Sequence, residues 1–421
     1  MKSGSPLLVI FLTVFIDLIG FGICLPLLPK YAERYGAQGW QIGAAMGVYS
    51  LMQLVFAPWW GQLSDRIGRR PVLLVSNFGS IIAYGLFGLS ASYIGDTGFW
   101  ILIGSRIFAG ICGANLSVAS AYIADVTTPE KRSKGMGLIG MAFGLGFILG
   151  PVIGSQAFKH FGLAGPGAVA AGICALNFLL GCFILPETRK KDAALSAEQP
   201  RLERIRHTLI IVLKTVPSLL RGNRIKLIRH VLGMKEVGFL IGIYFLGTFA
   251  FTAFESTLPL LLDTKLHYDE EHVGYVFAFC GIMAAMVQGG GIGRLVKSFG
   301  ERRLIGASLL VVAVSLVLMP LANSLPTMLA ALAVFAIGSG INRAPTMGLI
   351  SQLSPADEQG TTLGIAQSAG TLARVLGPTV ATTLYDLWLP APYLACATIA
   401  LLAGLLAVLR LMGSTAKSPS A

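Results

Sequence analysis

Charge is scarce in this chain. Of its 421 residues only 12% are Asp, Glu, Lys or Arg, against about 25% in ordinary soluble domains. A soluble chain of this length would form two or three domains, and their surfaces would need more charge than this. Paired cysteine spacing is also missing. Cys24, Cys112, Cys174, Cys182, Cys280 and Cys396 lie within or beside apolar blocks, with no C-x-x-C and no histidine cluster. That excludes a disulfide framework or a zinc site and leaves the thiols as small packing groups. No P-loop, no H-E-x-x-H and no G-x-S-x-G in a strand-to-helix setting occurs, so neither an ATP-driven pump nor a common hydrolase is expected. The sequence calls for no enzyme activity, no cofactor and no metal. The N-terminal apolar run reaches Leu28, contains Asp17 and lacks a small-residue cleavage site. It reads as a first retained helix, not a signal peptide.

Apolar residues fill the gap, at 54% of the chain. They come in blocks of ~20 residues bounded by Gly, Pro or charge, the length that crosses about 30 Å of hydrocarbon as a helix. Lipid offers no hydrogen bonds to bare backbone, so the blocks must be helical, and the lack of period-2 alternation excludes a β-barrel. The expected class is an all-α polytopic membrane protein of twelve spans. Residues 6–28, 42–62, 71–93, 98–123, 135–158 and 164–185 make a first six-helix bundle over 1–185. A basic linker covers 186–235. Residues 237–262, 271–293, 302–321, 325–352, 359–385 and 389–412 make a second bundle over 236–412, followed by a tail at 413–421.

Basic residues set the expected orientation. Alternate loops carry Arg66, Arg69 and Arg70, then Lys131, Arg132 and Lys134, then the linker, then Arg294, Lys297, Arg302 and Arg303. Excess Lys and Arg marks the cytoplasmic side, so both termini and the linker are expected inside a cell (inner) membrane. The loop at Asp357 and Glu358 is the exception. The linker holds twelve basic residues and four acids, 12 − 4 = +8 of the formal +12. Without interleaved aromatics it does not read as a nucleic-acid site. Attraction to anionic membrane lipid, with an interfacial helix around Leu209–Leu213, is the reading it supports.

The chain repeats itself. Leu25-Pro26-Leu27-Leu28 returns as Leu258-Pro259-Leu260-Leu261, and Gly61-x6-Gly68-Arg69-Arg70 as Gly293-x6-Gly300-Glu301-Arg302-Arg303. Gly137-x12-Gly150-Pro151 returns as Gly364-x12-Gly377-Pro378, and Asn115 and Asn342 share that offset. Two six-helix halves of one orientation form a parallel repeat.

Four motifs carry chemistry. Gly61-Gln62-Leu63-Ser64-Asp65-Arg66-Ile67-Gly68-Arg69-Arg70 puts glycines where a sharp turn needs them. Asp65 can sit at a helix N-terminus, and Arg69 or Arg70 can reach Asp125. The alternative is that these arginines only set topology. Arg106-x3-Gly110-x3-Ala114 carries a cation inside a span, which must face a partner or a wet interior or else snorkel. Gly140-x3-Gly144-x-Gly146-x3-Gly150-Pro151-x2-Gly154 lets helices approach closely and introduces a kink. Asp17-x2-Gly20-x5-Pro26-x2-Pro29 supplies the one acid of the first helix, a group able to carry protons or to act as a buried structural acid.

These motifs resemble the major facilitator superfamily, and among its members the twelve-helix drug/proton antiporters that include the tetracycline exporters. The likeness is clear at Gly61–Pro71, Arg106–Gly154 and Leu363–Pro378 and weak in the linker. It implies a major facilitator fold of two pseudo-symmetric six-helix bundles. It makes Gly61, Asp65, Arg66, Gly68, Arg69, Arg70 and Asp125 a cytoplasmic gate, and Gly146, Gly150, Pro151 and Gly154 an antiporter-type helix. Arg106 would tune a carboxylate. Glu255 lies on the seventh helix, the repeat mate of the first, so Asp17 and Glu255 are expected to line the interior at similar depth, and Asp17, Glu255 and Arg106 form the expected proton-coupling set. Asn115, Asn342, Arg343, Arg374 and Gln367 form the expected substrate cavity. Arg343 or Arg374 could instead hold an anionic group of the substrate.

One departure limits the likeness. Tetracycline exporters carry a His on the eighth helix and an Asp on the ninth, where this chain has Ala284 and Val311 or a neighbour. Tetracycline itself is therefore not the expected cargo. The expectation is a proton-coupled efflux antiporter for small amphipathic or drug-like molecules, working as a monomer by alternating access. Its alternatives are a proton-coupled importer of an anionic metabolite and a non-transporting receptor on the same fold.

Overall fold

The computed structural model describes residues 6–127, 129–188, 223–355 and 358–413. The expected interfacial helix at Leu209–Leu213, Asp357 and the tail beyond 413 lie outside the described residues. Within them the chain is helical between its short turns. The first half runs α1 (Pro6–Cys24), α2 (Leu28–Arg34), α3 (Gly39–Ile67), α4 (Arg69–Ser90), α5 (Asp96–Cys112), α6 (Leu116–Val126), α7 (Pro129–Phe161) and α8 (Gly165–Ile184). The second half runs α9 (Asn223–Gly233), α10 (Lys235–Leu266), α11 (Glu270–Met286), α12 (Ile292–Phe299), α13 (Glu301–Leu318), α14 (Leu325–Leu353), α15 (Gln359–Leu387) and α16 (Ala391–Gly413).

Three pairs of helices each make one broken crossing, which gives twelve crossings among the described residues, the number the resemblance implies. Between α1 and α2 the break falls at Pro26, with Pro29 just beyond; neither has an amide to donate. The chain nonetheless stays in line, with the Leu25 amide on the Phe21 carbonyl at 3.2 Å. This carries the first span to Arg34, past the expected end at Leu28. A 3₁₀ turn at Gly113–Asn115 separates α5 from α6, and a π-helical turn at Val287–Gly291 separates α11 from α12. The second span is also longer than expected, because Gly61–Ile67 is its last helical stretch and not part of a loop.

By length and hydropathy, nine stretches among the described residues qualify as membrane spans, one of which, Met141–Ile184, holds both α7 and α8. The crossings this leaves out are α11–α12 and α15. The first is interrupted by its π turn. The second is polar, carrying Thr362, Gln367, Ser368, Thr371 and Arg374, and a polar membrane helix belongs against protein or a wet interior.

Apolar packing stays within halves. In the first half one buried cluster gathers Tyr31, Phe87 and Leu102, and a second gathers Trp60, Tyr122 and Ile123. In the second half one cluster holds Leu258, Leu316 and Phe335, and another holds Leu240, Ile305 and Ile350. Where the halves meet, the seam is made of small residues. Its two broadest contacts are α3 on α15 and α11 on α7, related by the sequence repeat, and α2 also meets α10.

Candidate functional site

The end of the bundle that carries Pro6, Gly68, Thr188 and Asn223 is the terminal face, and the opposite end the far face. At the terminal face α3 ends at Gly68, whose φ of 106° suits only glycine among the common residues. The chain turns at once into α4, which brings Arg69 back over α3. Its guanidinium reaches Asp65 Oδ1 (2.5 Å), Ser64 Oγ (2.6 Å) and, across to α6, Asp125 Oδ2 (3.1 Å). Arg70 turns the other way and donates to the Cys182 carbonyl at the end of α8. Arg69 is thus the member that joins Asp125.

Asp65 does not cap a helix here. It lies in the last turn of α3, where the macrodipole disfavours an anion, and is held by its ion pair with Arg69. The α4 N-terminus is taken by Glu187, from the first residues after α8. Its two oxygens accept from the amides of Arg69 (3.0 Å) and Arg70 (3.2 Å). Thr188 beside it donates to Asp125 Oδ2 at 3.2 Å. Sequence reasoning missed this role because Glu187 is 118 residues from Arg69. The available signal was an acid directly after a span. Gly61 is no turn residue either: it sits within α3 facing Ser117 with room to spare. Arg66 is exposed on the same turn.

The glycine helix α7 is wedged between α1 and α11. Cβ atoms at Gly146, Gly150 and Gly154 would run into Leu18, Gly22 and Ile23 of α1, the helix of Asp17, and Gly22 returns the contact on Gly146. Gly144 points into open space and takes no part. From the other side Gly274 of α11 lies against the Pro151 carbonyl and Ser155, and Gly281 against Ile148.

At the far face the halves are bonded together. The Gly39 amide donates to Asp386 Oδ2 and Thr382 Oγ1 donates to the Gly39 carbonyl, each at 2.5 Å. Gly43 and Gly47 continue the seam against the backbone of Thr379 and Val375. Lys159 and Gln156 of α7 meet Glu271 of α11, with Lys159 Nζ to Glu271 Oε2 at 2.8 Å. Lys30 of α2 reaches Asp263 and Glu270 at 3.7 and 3.9 Å and donates to the Tyr268 carbonyl at 3.0 Å.

Between the faces lie the interior charges. Arg106 is 3% exposed and does not snorkel. Its guanidinium lies over the rings of Phe87 (4.8 Å) and Tyr84 (5.7 Å), beside the Cys24 thiol. The Tyr49 hydroxyl lies in the combined field of Arg106, Asp17 and Arg374. Arg374 in turn feels Arg343, Tyr244, Glu255 and Tyr49. Glu255 is 8% exposed, and its Oε1 has no hydrogen-bond partner among the described residues. Gln367 Oε1 accepts from Tyr244 at 3.4 Å, and Arg343 is exposed on α14. Phe21 stacks on Tyr49 (4.9 Å between centroids) and meets Phe147 edge-on (6.2 Å). Asn342 is a packing residue: it donates to Ser308 at 3.0 Å and backs onto Gly247. Asn115 lies in the 3₁₀ turn, and its side chain is outside the described residues.

Helix number and paired halves together define a polytopic membrane transporter. The chain belongs to the Major Facilitator Superfamily, which matches residues 10–292 and 291–421; this is a family of transporters, not of enzymes. It is 31% identical over 393 residues to the class C tetracycline resistance protein of Escherichia coli, covering 91% of each chain. It is 29% identical to major facilitator superfamily domain-containing protein 10 of Mus musculus, covering 91% of this chain and 87% of that one. The crystal structure of the human organic anion transporter MFSD10 (TETRAN) superposes with a TM-score of 0.66 at 26% identity, covering 96% of this chain and 99% of that one. A bacterial homolog of the lysosomal transporter Spinster, in an inward-facing and occupied conformation, shares the fold with a TM-score of 0.73 at 13% identity, covering 98% of each chain.

Proposed function

We propose that this chain is a proton-coupled secondary transporter of the inner membrane that exports small amphipathic molecules, as a monomer, with its terminal face in the cytoplasm. What supports the reading is the series Asp17, Tyr49, Arg374 and Glu255, placed near enough to one another for their fields to overlap. It runs from the first half to the second, so a change of charge on one carboxyl group alters the field at the other half. That is what coupling proton movement to rocking of two halves requires. Basic loops on the terminal face support the orientation. With that orientation the far-face seam closes the protein to the outside, and the halves, each with its own apolar cores, can pivot there. The likeness to tetracycline resistance proteins supports export, while Ala284 and Val311 speak against tetracycline as the cargo.

The test is transport into inside-out vesicles. Accumulation should require an acid interior and should fall to background in Asp17→Asn and Glu255→Gln. Accumulation that ignores the gradient, or that survives both substitutions, overturns the reading.

Three interior arginines against two acids favour a second reading, an organic anion as cargo. Arg343 and Arg374 would bind its charged group, and Phe21, Tyr49 and Phe147 its apolar part. The likeness to the human organic anion transporter supports it. A thermal-shift panel of amphipathic cations and anions at two pH values separates the readings. Stabilisation by anions that is lost in Arg374→Gln favours the second.

A further inference from the structure

Outside the interior, the strongest unassigned feature is a basic collar on the terminal face of the second half, where the ends of α10, α13 and α16 converge. Arg410, near the end of α16, donates to the Lys235 carbonyl at 2.9 Å and lies over the Phe239 ring at 4.7 Å. Arg302, in the first turn of α13, forks between the Leu411 carbonyl (3.3 Å) and Glu236 Oε2 (3.4 Å). Lys235 and Arg410 are exposed. The guanidinium groups of Arg302 and Arg410 are therefore fixed in place by backbone carbonyls and a ring, with Lys235 exposed beside them and Glu236 as the acid among them. The preceding helix α9 adds Lys226 and Arg229, both exposed. It is anchored by buried Val231, by the His230–Glu358 bridge at 3.3 Å and by Gly238, where a Cβ would strike the Leu232 carbonyl.

What lies beside the collar decides the ligand. Leu401, Leu402, Leu405, Leu406 and Leu409 of α16 are all exposed, Leu409 at 73%, and they form a continuous apolar strip ending at Arg410. On α9, Ile228 and Leu232 are exposed one turn apart, at 44% and 48%. A free phosphate would use the cations and leave the strip unused. A lipid with an anionic headgroup uses both, its phosphate on the collar and its acyl chains along the leucines.

We propose that the collar of Lys235, Arg302 and Arg410 is a specific site for an anionic phospholipid of the leaflet at the terminal face. The headgroup phosphate bridges Lys235 and Arg410 and competes with Glu236 for Arg302, tying α16 and α13 to the start of α10. The site is independent of the substrate and of the proton path.

The experiment uses the purified full-length chain in a neutral detergent. Thermal unfolding is followed with added phosphatidylglycerol, phosphatidylcholine or inorganic phosphate. The melting temperature should rise with phosphatidylglycerol, and the rise should fall by roughly half or more in Lys235→Gln/Arg410→Gln, since stabilisation follows the occupancy of a site on the folded state. The control Lys265→Gln, on the far face, should keep the full rise. An equal rise with phosphatidylcholine, a phosphate effect that reproduces the lipid, or an undiminished rise in the double variant overturns the proposal. Should the double variant not fold, native mass spectrometry of the unaltered chain decides. Retention of phosphatidylglycerol over phosphatidylcholine supports the site, and equal retention overturns it.

Discussion

Glu187 fills the space where a side chain at Gly68 would have to stand. A Cβ there would fall well inside contact distance of the Glu187 carboxylate, the same group that takes the amides of Arg69 and Arg70. Glycine is thus required for its positive φ, and a Cβ would in addition push the Glu187 carboxylate off the two amides it holds. Gly68→Ala is expected to cost about 1–3 kcal/mol of stability from strain, plus the displaced cap. Thermal unfolding checks this, and the two contributions separate in a cycle. Gly68→Ala should cost less in a Glu187→Ala background, and equal costs would show that the carboxylate is not in the way.

Arg69 joins two acids of unequal exposure. The Asp125 side chain is 31% exposed and that of Asp65 62%. Screening weakens the more exposed pair, so a double-mutant cycle of Arg69→Gln with Asp125→Asn should return the larger coupling. About 1 kcal/mol against a few tenths is expected. A coupling to Asp125 no larger than that to Asp65 would show that exposure does not rank the two pairs.

Gly43 allows no side chain at the far face, where the Thr379 backbone already occupies the space. Overpacking costs about 1–3 kcal/mol, and Gly43→Leu charges it only to the conformation in which α3 and α15 touch. That shifts the closed-to-open ratio by roughly 5- to 150-fold. Thiol labelling of a cysteine placed in the interior, with a reagent added from the far-face side, should accelerate correspondingly, and turnover should drop. Unchanged labelling would show that the seam does not open.

Asp269 is the N-cap of α11 and accepts from the His272 amide at 3.0 Å. That bond and the His272 ring beside it hold the Asp269 carboxyl below its ordinary value. A depressed carboxyl stabilises the folded chain above its unfolded-state value, and the contribution is lost as pH falls through the lowered one. Asp269→Ala should therefore cost about 1 kcal/mol near neutral pH. The difference from the unaltered chain should close as the solution is acidified. A pH-independent cost would point to packing instead of the cap.

Much of this architecture can be read from the sequence, because apolar length and spacing are one-dimensional signals. The two crossings that hydropathy misses, α11–α12 and α15, still stand out through the repeat: Gly377-Pro378 marks α15 as the mate of α7. Contacts between distant segments do not show in the same way. Glu187 gives no sign of its cap until α8 has brought it beside Gly68, and the π turn at Val287–Gly291 has no signature beyond a run of glycines. Spacing also misleads when direction is ignored. Gly144 belongs to the four-residue ladder as written, but the face in contact with α1 is Gly146, Gly150 and Gly154. Conversely, Gly39-x3-Gly43-x3-Gly47 was visible all along as a small-residue stripe. For the interior, the positions of Asp17, Glu255 and Arg374 on their helices were legible. The position of Tyr49 near Asp17 and Arg374 was not, since a tyrosine in an apolar span has nothing unusual about it.

The Gly39–Gly43–Gly47 seam also bears on speed. Glycines carry no rotamers to freeze, so on the α3 side docking against α15 costs little side-chain entropy, the ordered side chains being those of Thr382 and Asp386. A joint of that kind has little friction in either direction. On the transport cycle proposed above, the ion pairs at Lys159 and Lys30 are the contacts left to hold the far face closed, and changes of surface charge there are expected to alter its pace while the helices themselves stay untouched.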